Sequence, residues 1–286
     1  MILIVVQSLL MMHFEIGVLL TSSYEVPGRY SRWTVGFTAP PVQIEGKGMS
    51  FTIEALNSRG DIIVEMIHKH LQKSPSTFSL SPPSITGDAR LLVTGHVIND
   101  GQVLFSEEER SKQPSLFSLV RSIRELLLNP RNPGTGTSSE PAIPGQQQFG
   151  LVGAFGYDLA FQFEPVPPAP GKEQRAERDL LLFLPDEILV VDGQSPRGEA
   201  WKIRYDFSSD GRSTVGLPRV AAEAKYRPAK HDQPFRSREN EKGDYSKGVL
   251  SAKEQFKVGN LFEVVLSQIF REKLQPETKP SQIFNT

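Results

Sequence analysis

The 286-residue sequence contains no cysteine, which excludes disulfides, thiolate metal sites and a cysteine nucleophile. It also lacks an excess of positive charge, since 32 Lys and Arg stand against 33 Asp and Glu, for a net charge of −1. A general nucleic-acid binder needs surplus cations to neutralise phosphates, so that class is disfavoured. The absence of cysteine fits a reducing compartment, and we expect a cytoplasmic protein.

Hydrophobic runs long enough to span a bilayer are missing as well. The first twelve residues, MILIVVQSLLMM, are nearly all apolar, but His13 and Glu15 interrupt the run too early for a span. A basic start and a small-residue cleavage site are absent, so a signal peptide fits poorly. We interpret the run as a buried strand or a wrongly assigned start, and we expect a soluble protein without membrane contact.

The longest low-charge, aromatic-rich run in the interior of the chain is Gly150–Pro165, GLVGAFGYDLAFQFEP. Its three glycines at every third residue could let another backbone come close, and its aromatic content predicts a buried core strand or strand pair. A phosphate-binding loop is the alternative, but no Gly-x-Gly-x-x-Gly or Gly-Lys-Ser/Thr pattern accompanies it. The core-strand interpretation is therefore favoured.

Short strands recur along the chain with turns between them. The predicted strands are Phe14–Leu20, Met49–Leu56, Arg90–Ile98, Leu180–Leu184, Glu187–Asp192 and Trp201–Phe207, the last three pairing as a meander. The predicted helices are a segment within Asp61–Lys73 that follows a turn at Asn57–Gly60, a short helix capped by Ser106, a helix opened by Pro114, and Asp244–Val258 with Gly259 as its stop. This pattern predicts an α+β fold with antiparallel sheets and helices packed outside.

Two histidines and one aromatic cluster are candidate binding features. His68 and His70 are two residues apart, a poor spacing for a helical metal pair, and we interpret both as solvent-facing. The cluster Arg29–Trp33 interleaves guanidinium and aromatic groups. It could stack on nucleic acid or present an arginine to a small ligand, but the pattern alone favours an exposed strand.

The end of the chain carries the strongest strand signal. Leu261–Phe270, LFEVVLSQIF, is dense in β-branched and aromatic residues and predicts a strand that needs partners in a sheet. Residues 208–243 are polar, basic and proline-containing, typical of a linker. We therefore predict one domain over residues 1–207, a linker over 208–243, and the incomplete start of a second domain over 244–286.

Several blocks occur in the order found in one enzyme family. SSYEVPGRYSRW, FSEEERSKQPSLFSLVRSIRELL, GLVGAFGYDLAFQFEP, FLPDEILVVD and GNLFEVVLSQIF resemble anthranilate synthase component I, and above all its single-chain form fused to a glutaminase. The resemblance covers roughly Leu20 to Phe270. Aminodeoxychorismate synthase component I is the near alternative, and a non-catalytic module that binds tryptophan or docks on a glutaminase is another.

The resemblance implies an activity and its partners. The family binds chorismate with Mg²⁺, adds ammonia supplied by a glutamine amidotransferase, and eliminates pyruvate to give anthranilate. Its N-terminal region senses L-tryptophan. The family's Mg²⁺ ligands, catalytic histidine and carboxylate-binding arginine follow the Leu261–Phe270 block. We therefore expect this chain to be truncated before the main chorismate-binding catalytic domain, to hold no metal site and to be inactive alone.

By position, the resemblance also implies site residues. Ser22 and Ser23 stand where the family places a serine that contacts tryptophan, although Thr21 replaces the usual glutamate before it. Arg29, Tyr30 and Ser31 match the Arg-Tyr-Ser element that follows in the family. The resemblance implies that they form part of the same tryptophan-binding site.

Two catalytic candidates lie in the last block. Related synthases that add water carry a lysine where this chain has Glu263, so a carboxylate there favours amination over hydration. Gln268 is a second candidate. Alternatively, Glu263 is a carboxylate on a strand that faces solvent and has no catalytic role. Gln268 could likewise lie on the other face of that strand, away from the site.

Overall fold

The computed structural model describes residues 16–21, 32–99, 106–128, 150–164, 178–195, 198–222, 241–273, 275 and 278. The chain forms two compact units, Met1–Tyr226 and Arg227–Thr286. The predictions for residues 1–15 and for the polar loop at 129–149 lie outside the described residues. Within the described part, no helix is long and apolar enough to cross a membrane.

The first unit contains thirteen described strands and two described α-helices. The strands are β1 Gly17–Leu20, β2 Trp33–Thr38, β3 Val42–Lys47, β4 Ser50–Ala55, β5 Phe78–Leu80, β6 Ser84–Ile85, β7 Leu91–Val97, β8 Val152–Phe155, β9 Leu180–Leu184, β10 Glu187–Asp192, β11 Ala200–Arg204, β12 Ser208–Ser209 and β13 Arg212–Ser213. The helices are α1 Ser58–Leu71 and α2 Leu116–Leu128, with 3₁₀ helices at Glu107–Lys112 and Tyr157–Gln162.

A seven-stranded antiparallel sheet forms the centre of the first unit. Its order is β5-β7-β4-β3-β9-β8, with β6 paired to β7. Alternate residues of the strands, such as Ile44, Ile53 and Val93, are fully buried in one core with apolar residues of α1 and α2. On the opposite face, β3 and β4 carry polar residues such as Gln43, Glu45 and Thr52. The predicted α+β fold with antiparallel sheets and outer helices is confirmed.

Two glycines make room on the helix-covered face. Gly46 and Gly95 lie on either side of Phe51 in register across β3, β4 and β7. A Cβ at Gly46 would lie 2.6 Å from Cδ1 of Leu116, and one at Gly95 would lie 2.5 Å from Cζ of Phe51. The missing side chains therefore let Leu116 and the Phe51 ring reach the sheet.

The second sheet has four antiparallel strands in the order β1-β2-β10-β11. The predicted meander through residues 180–207 is wrong in one respect, because β9 and β10 belong to different sheets. Pro185 and Asp186 carry the chain from one sheet to the other. Asp186 is buried there and forms an ion pair with Arg59 of α1. This ion pair connects α1 to the segment in which the chain passes between the sheets.

The Gly150–Pro165 run is not a core strand, so that prediction is wrong. Among the described strands, β8 pairs with β9 alone and lies at the edge of the large sheet, and its last three residues are exposed. A 3₁₀ helix follows, in which Leu159 is the buried residue. The close approach expected of the glycines does occur, since a Cβ on Gly153 would lie 2.1 Å from the carbonyl oxygen of Leu181.

The predicted turn at Asn57–Gly60 is instead the start of α1. The Asn57 side chain accepts hydrogen bonds from the backbone N–H groups of Arg59 and Gly60 at 3.0 and 3.1 Å, so it acts as an N-cap and the helix begins at Ser58. His68 is also not solvent-facing, because it lies on the buried face of α1 and is 8% exposed.

The short helix predicted to begin at Ser106 is present, but the capping box predicted for it is not. The helix is the 3₁₀ helix Glu107–Lys112, and the Ser106 side chain makes no capping hydrogen bond. The helix predicted after Pro114 is confirmed as α2, which begins at Leu116.

In the second unit, the predicted helix is present as α3, Asp244–Lys257, and Gly259 follows it with a positive φ of 78°. The predicted strand Leu261–Phe270 is wrong for the structure described: of these residues only Phe270 makes a β-bridge, and Phe262 is 98% exposed. A strand needs a ladder of successive paired residues, and a single bridge at Phe270 does not make one.

The predicted linker, residues 208–243, is described up to 222 and from 241. Its first part folds as the β12–β13 hairpin of the first unit. The domain boundaries themselves stay a prediction.

Candidate functional site

The predicted tryptophan-binding residues Ser22, Ser23, Arg29, Tyr30 and Ser31 lie outside the described residues. The strand ends on either side of them are described.

On the N-terminal side, β1 and β2 pair so that Leu20 lies opposite Val35. The hydroxyl oxygens of Thr21 and Thr34 are 3.0 Å apart, within hydrogen-bond distance. Near Thr21, the last described residue before position 22, the two strands are therefore held together by both backbone and side-chain contacts.

On the C-terminal side, Arg32 binds Asp192 through two nitrogens. Nη2 donates to Oδ2 at 3.0 Å, and Nε lies 3.3 and 3.2 Å from Oδ1 and Oδ2. The backbone N–H of Gly193 donates to the carbonyl oxygen of Arg32 at 2.7 Å. Hydrogen bonding from the guanidinium lowers the pKa of Asp192 below its ordinary value.

Aromatic side chains lie beside this ion pair. The Arg32 guanidinium carbon is 4.5 Å from the ring centroid of Trp33, a cation–π distance. The Trp33 and Trp201 rings are 6.4 Å apart, so β2 and β11 both contribute to the cluster. Thr21, Thr34, Arg32, Asp192 and the two tryptophans form what we call the sheet-edge frame. Thr21 and Arg32 of this frame are the chain neighbours of residues 22–31, and the frame contains hydroxyl, cationic and aromatic groups.

The catalytic candidates Glu263 and Gln268 lie in the second unit. Glu263 is exposed and Gln268 is half-buried in the stretch that follows α3. The role of either residue stays a prediction.

The described residues also contain no group of three or more His, Asp or Glu that could hold a metal ion. Divalent cations such as Mg²⁺ are bound by several converging oxygens, so the residues described here do not fit a Mg²⁺ site.

Two polar features escaped the sequence analysis. One is a buried cluster around Arg59, whose guanidinium contacts Asp186, Asp206 and backbone carbonyls. The other is a groove of about 410 Å³ on the helix-free face of the seven-stranded sheet, which we call the open-face groove. It is lined by Glu45, Gly46, Lys47, Ser50, Phe51, Thr52, Ser79, Ser81, Thr94, Gly95, His96 and Arg178. The alternation of polar residues in β3, Gln43, Glu45 and Lys47, is the signal that could have indicated this face.

The protein is of the α+β class, with antiparallel sheets and outer helices. The sheet-edge frame is a group of polar and aromatic side chains of the second sheet and of residues next to its strands. Residues 100–286 match the family model described as chorismate binding enzyme. The chain belongs to this family.

Known proteins similar to the chain are anthranilate synthases by name. The chain is 35% identical over 275 residues to "Anthranilate synthase" of Azospirillum brasilense, a match that covers 94% of the chain and 33% of that protein. It is 26% identical over 213 residues to "Anthranilate synthase component 1, pyocyanine specific" of Pseudomonas aeruginosa, covering 72% of the chain and 34% of that protein. A third, "Anthranilate synthase component 1" of Vibrio cholerae, is 23% identical over 184 residues, covering 62% and 29%. The chain thus spans about a third of the length of these relatives.

Proposed function

We propose that this chain is the tryptophan-sensing portion of an anthranilate synthase, the enzyme that converts chorismate and glutamine-derived ammonia to anthranilate and pyruvate. The observation that carries the proposal is the 35% identity to the Azospirillum brasilense anthranilate synthase over 94% of the chain. The continuity of that match matters, because it includes the sheet-edge frame and the last block together.

The sheet-edge frame supports the effector role. In the chain, Ser22, Ser23, Arg29, Tyr30 and Ser31 lie between two anchored residues: Thr21 contacts Thr34, and Arg32 forms an ion pair with Asp192. Fixing the ends of a binding segment lowers the conformational entropy that a ligand must overcome. Serine hydroxyls and an arginine suit the ammonium and carboxylate groups of an amino acid, and the aromatic groups suit an indole ring.

The catalytic partners belong to the proposal as well. In the intact enzyme we propose chorismate as substrate, Mg²⁺ as cofactor, and a glutamine amidotransferase subunit or fused domain as the source of ammonia. The described residues do not provide a Mg²⁺ site, so no catalytic step is assigned to them. We propose that this chain alone does not form anthranilate. We also propose that the protein is cytoplasmic.

Calorimetry with L-tryptophan tests the effector role. We expect saturable binding of L-tryptophan to the full chain, and weaker binding or none of D-tryptophan, because a site built for the amino-acid group distinguishes the two enantiomers. The double variant S22A/S23A should weaken binding by about tenfold, since each hydroxyl is proposed to contact the ligand. Ser251→Ala, at an exposed position of α3, is the matched control and should bind as the parent chain does.

Absence of L-tryptophan binding by a folded chain would overturn the effector role. Anthranilate fluorescence tests the catalytic part in a separate assay with chorismate, ammonium and Mg²⁺. We expect no product from the chain alone, and turnover would contradict the proposal that these residues lack the catalytic machinery.

A further inference from the structure

The open-face groove has the geometry of a small-ligand site. Its walls come from two rows of residues that run across β3, β4 and β7. One row contains Glu45, Thr52 and Thr94, and the next contains Lys47, Ser50 and His96, with Ser79 of β5 beside the histidine. Because these strands are hydrogen-bonded neighbours, the two rows are held at fixed spacing. The groove volume of about 410 Å³ lies within the range of small-molecule sites.

The charges of the groove favour an anion. Lys47 is exposed and takes part in none of the ion pairs in the described part of the chain. Nη1 of Arg178 contacts Oε1 of Glu45 at 3.1 Å, and this is its one side-chain contact within the described part of the chain. The same Glu45 oxygen accepts a hydrogen bond from the Gln43 amide at 2.9 Å. The groove is therefore lined by two cations, Lys47 and Arg178, and by one carboxylate, Glu45. The Oε1 atom of that carboxylate already accepts hydrogen bonds from Arg178 and Gln43.

Hydroxyl groups supply the remaining polar contacts. Ser50, Thr52, Thr94, Ser79 and Ser81 all line the groove. The Ser50 oxygen and Nδ1 of His96 are 3.3 Å apart, so those two side chains contact each other. A face of the sheet that displays hydroxyls and cations in place of apolar residues is poorly suited to packing against another apolar layer. It suits a ligand with oxyanion and hydroxyl groups, for which charge-assisted hydrogen bonds give the stronger contacts.

We propose that the open-face groove binds a small oxyanion ligand, with Lys47 and Arg178 as the cations that contact its carboxylate or phosphate group. The position is distinct from the sheet-edge frame, since none of its lining residues belongs to that frame. The inference therefore stands independently of the tryptophan-sensing proposal.

Amide NMR shifts of the full chain at constant ionic strength test this site. The probes are inorganic phosphate, malonate as a dicarboxylate, and glycerol as an uncharged polyol. We expect saturable shifts at groove residues such as Thr52 and Thr94 with at least one of the two anions and none with glycerol. Phosphate alone, or malonate alone, would identify which oxyanion the groove takes. Absence of saturable shifts up to about 50 mM of both anions would overturn the proposal.

Variants separate a built site from general charge attraction. Lys47→Gln should weaken anion binding by about fivefold or more, because it removes a charge-assisted contact. Lys253→Gln removes the same charge from an exposed position of α3 and should leave affinity within about twofold. Glu45→Gln should strengthen anion binding, since it removes the carboxylate from the groove lining and the ion pair between that carboxylate and Arg178. Equal weakening by Lys47→Gln and Lys253→Gln would overturn the proposal.

Discussion

Arg59 of α1 and Asp186, between β9 and β10, form an ion pair in which each side chain is 1% exposed. Arg59 also donates to the carbonyl oxygen of Tyr205 at 3.0 Å and to Asp206 at 2.8 Å. One guanidinium thus connects the helix start, the crossing between the two sheets, and the segment that leads to the β12–β13 hairpin. Burial raises the pKa of Asp186 above its ordinary value, and Arg59 acts in the opposite direction.

Removing Arg59 should destabilise the first unit more than most substitutions. In Arg59→Met the buried Asp186 carboxyl loses its contact with Arg59 and keeps the 3.3 Å contact with Nε of Arg219. Loss of one member of a buried ion pair costs about 3–5 kcal/mol, and the remaining arginine should bring the loss toward the lower end of that range. Urea unfolding measures this free energy. The double variant Arg59→Met with Asp186→Asn should recover part of the loss, because it removes the buried charge.

The control for that experiment is Lys69→Met. Lys69 pairs with Glu65 and Asp210 at the surface, where its side chain is 44% exposed, and exposed pairs contribute about 0–1 kcal/mol. If Arg59→Met lost no more stability than Lys69→Met, the connecting role of Arg59 would be wrong.

Gly60→Ala should destabilise α1 although alanine normally favours a helix. A Cβ at Gly60 would lie 2.0 Å from the carbonyl oxygen of Pro41 and 3.1 Å from Cα of Ala55, so backbone must shift to accommodate it. We expect a lower unfolding midpoint by calorimetry. Gly248→Ala is the helical control, since its Cβ would meet only Leu266, at 3.9 Å, and alanine should raise helix stability there by about 0.5–1 kcal/mol.

His68 should make stability fall as the pH drops below about 6.5. Burial is the main cause that lowers the pKa of His68, with Lys69 acting in the same direction and Glu65 in the opposite one. Because the unfolded chain takes up the proton at a higher pH than the folded chain, protonation favours unfolding between the two pKa values. Unfolding free energies at pH 7.5 and at pH about 5.5 measure the effect.

In His68→Gln this part of the pH dependence should disappear. His96 is exposed on the open sheet face, so His96→Gln is the matched variant and should keep the dependence. The explanation fails if both variants respond to pH in the same way.

Asp192→Asn should reduce the loss of stability in acid. The pKa of Asp192 is lowered, chiefly by hydrogen bonding from Arg32, so its contribution is present above about pH 4 and is lost as the pH falls through the folded value. The variant should have a lower melting temperature at pH 7 and a shallower decrease between pH 5 and pH 3. Asp88→Asn, at an exposed position of the loop between β6 and β7, serves as the comparison.

Local patterns determined much of this protein. Alternation in Ser50–Ala55, the helical period of Leu116–Leu128 and the glycine after Asp244–Lys257 were sufficient to predict these elements, because each depends on residues near one another in the chain. The resemblance across several ordered blocks predicted the family.

Only the tertiary structure decided how those elements combine. Residues 180–192 read as two strands of one meander, yet β9 and β10 join different sheets because Asp186 is held by Arg59, 127 positions earlier in the chain. The aromatic content of Gly150–Pro165 predicted a core, but among the described strands β8 has a neighbour on one side only, and that position is set by strand order. Lys47, His96 and Arg178 share one groove because sheet register brings distant residues together, a relationship that no local pattern in the chain contains.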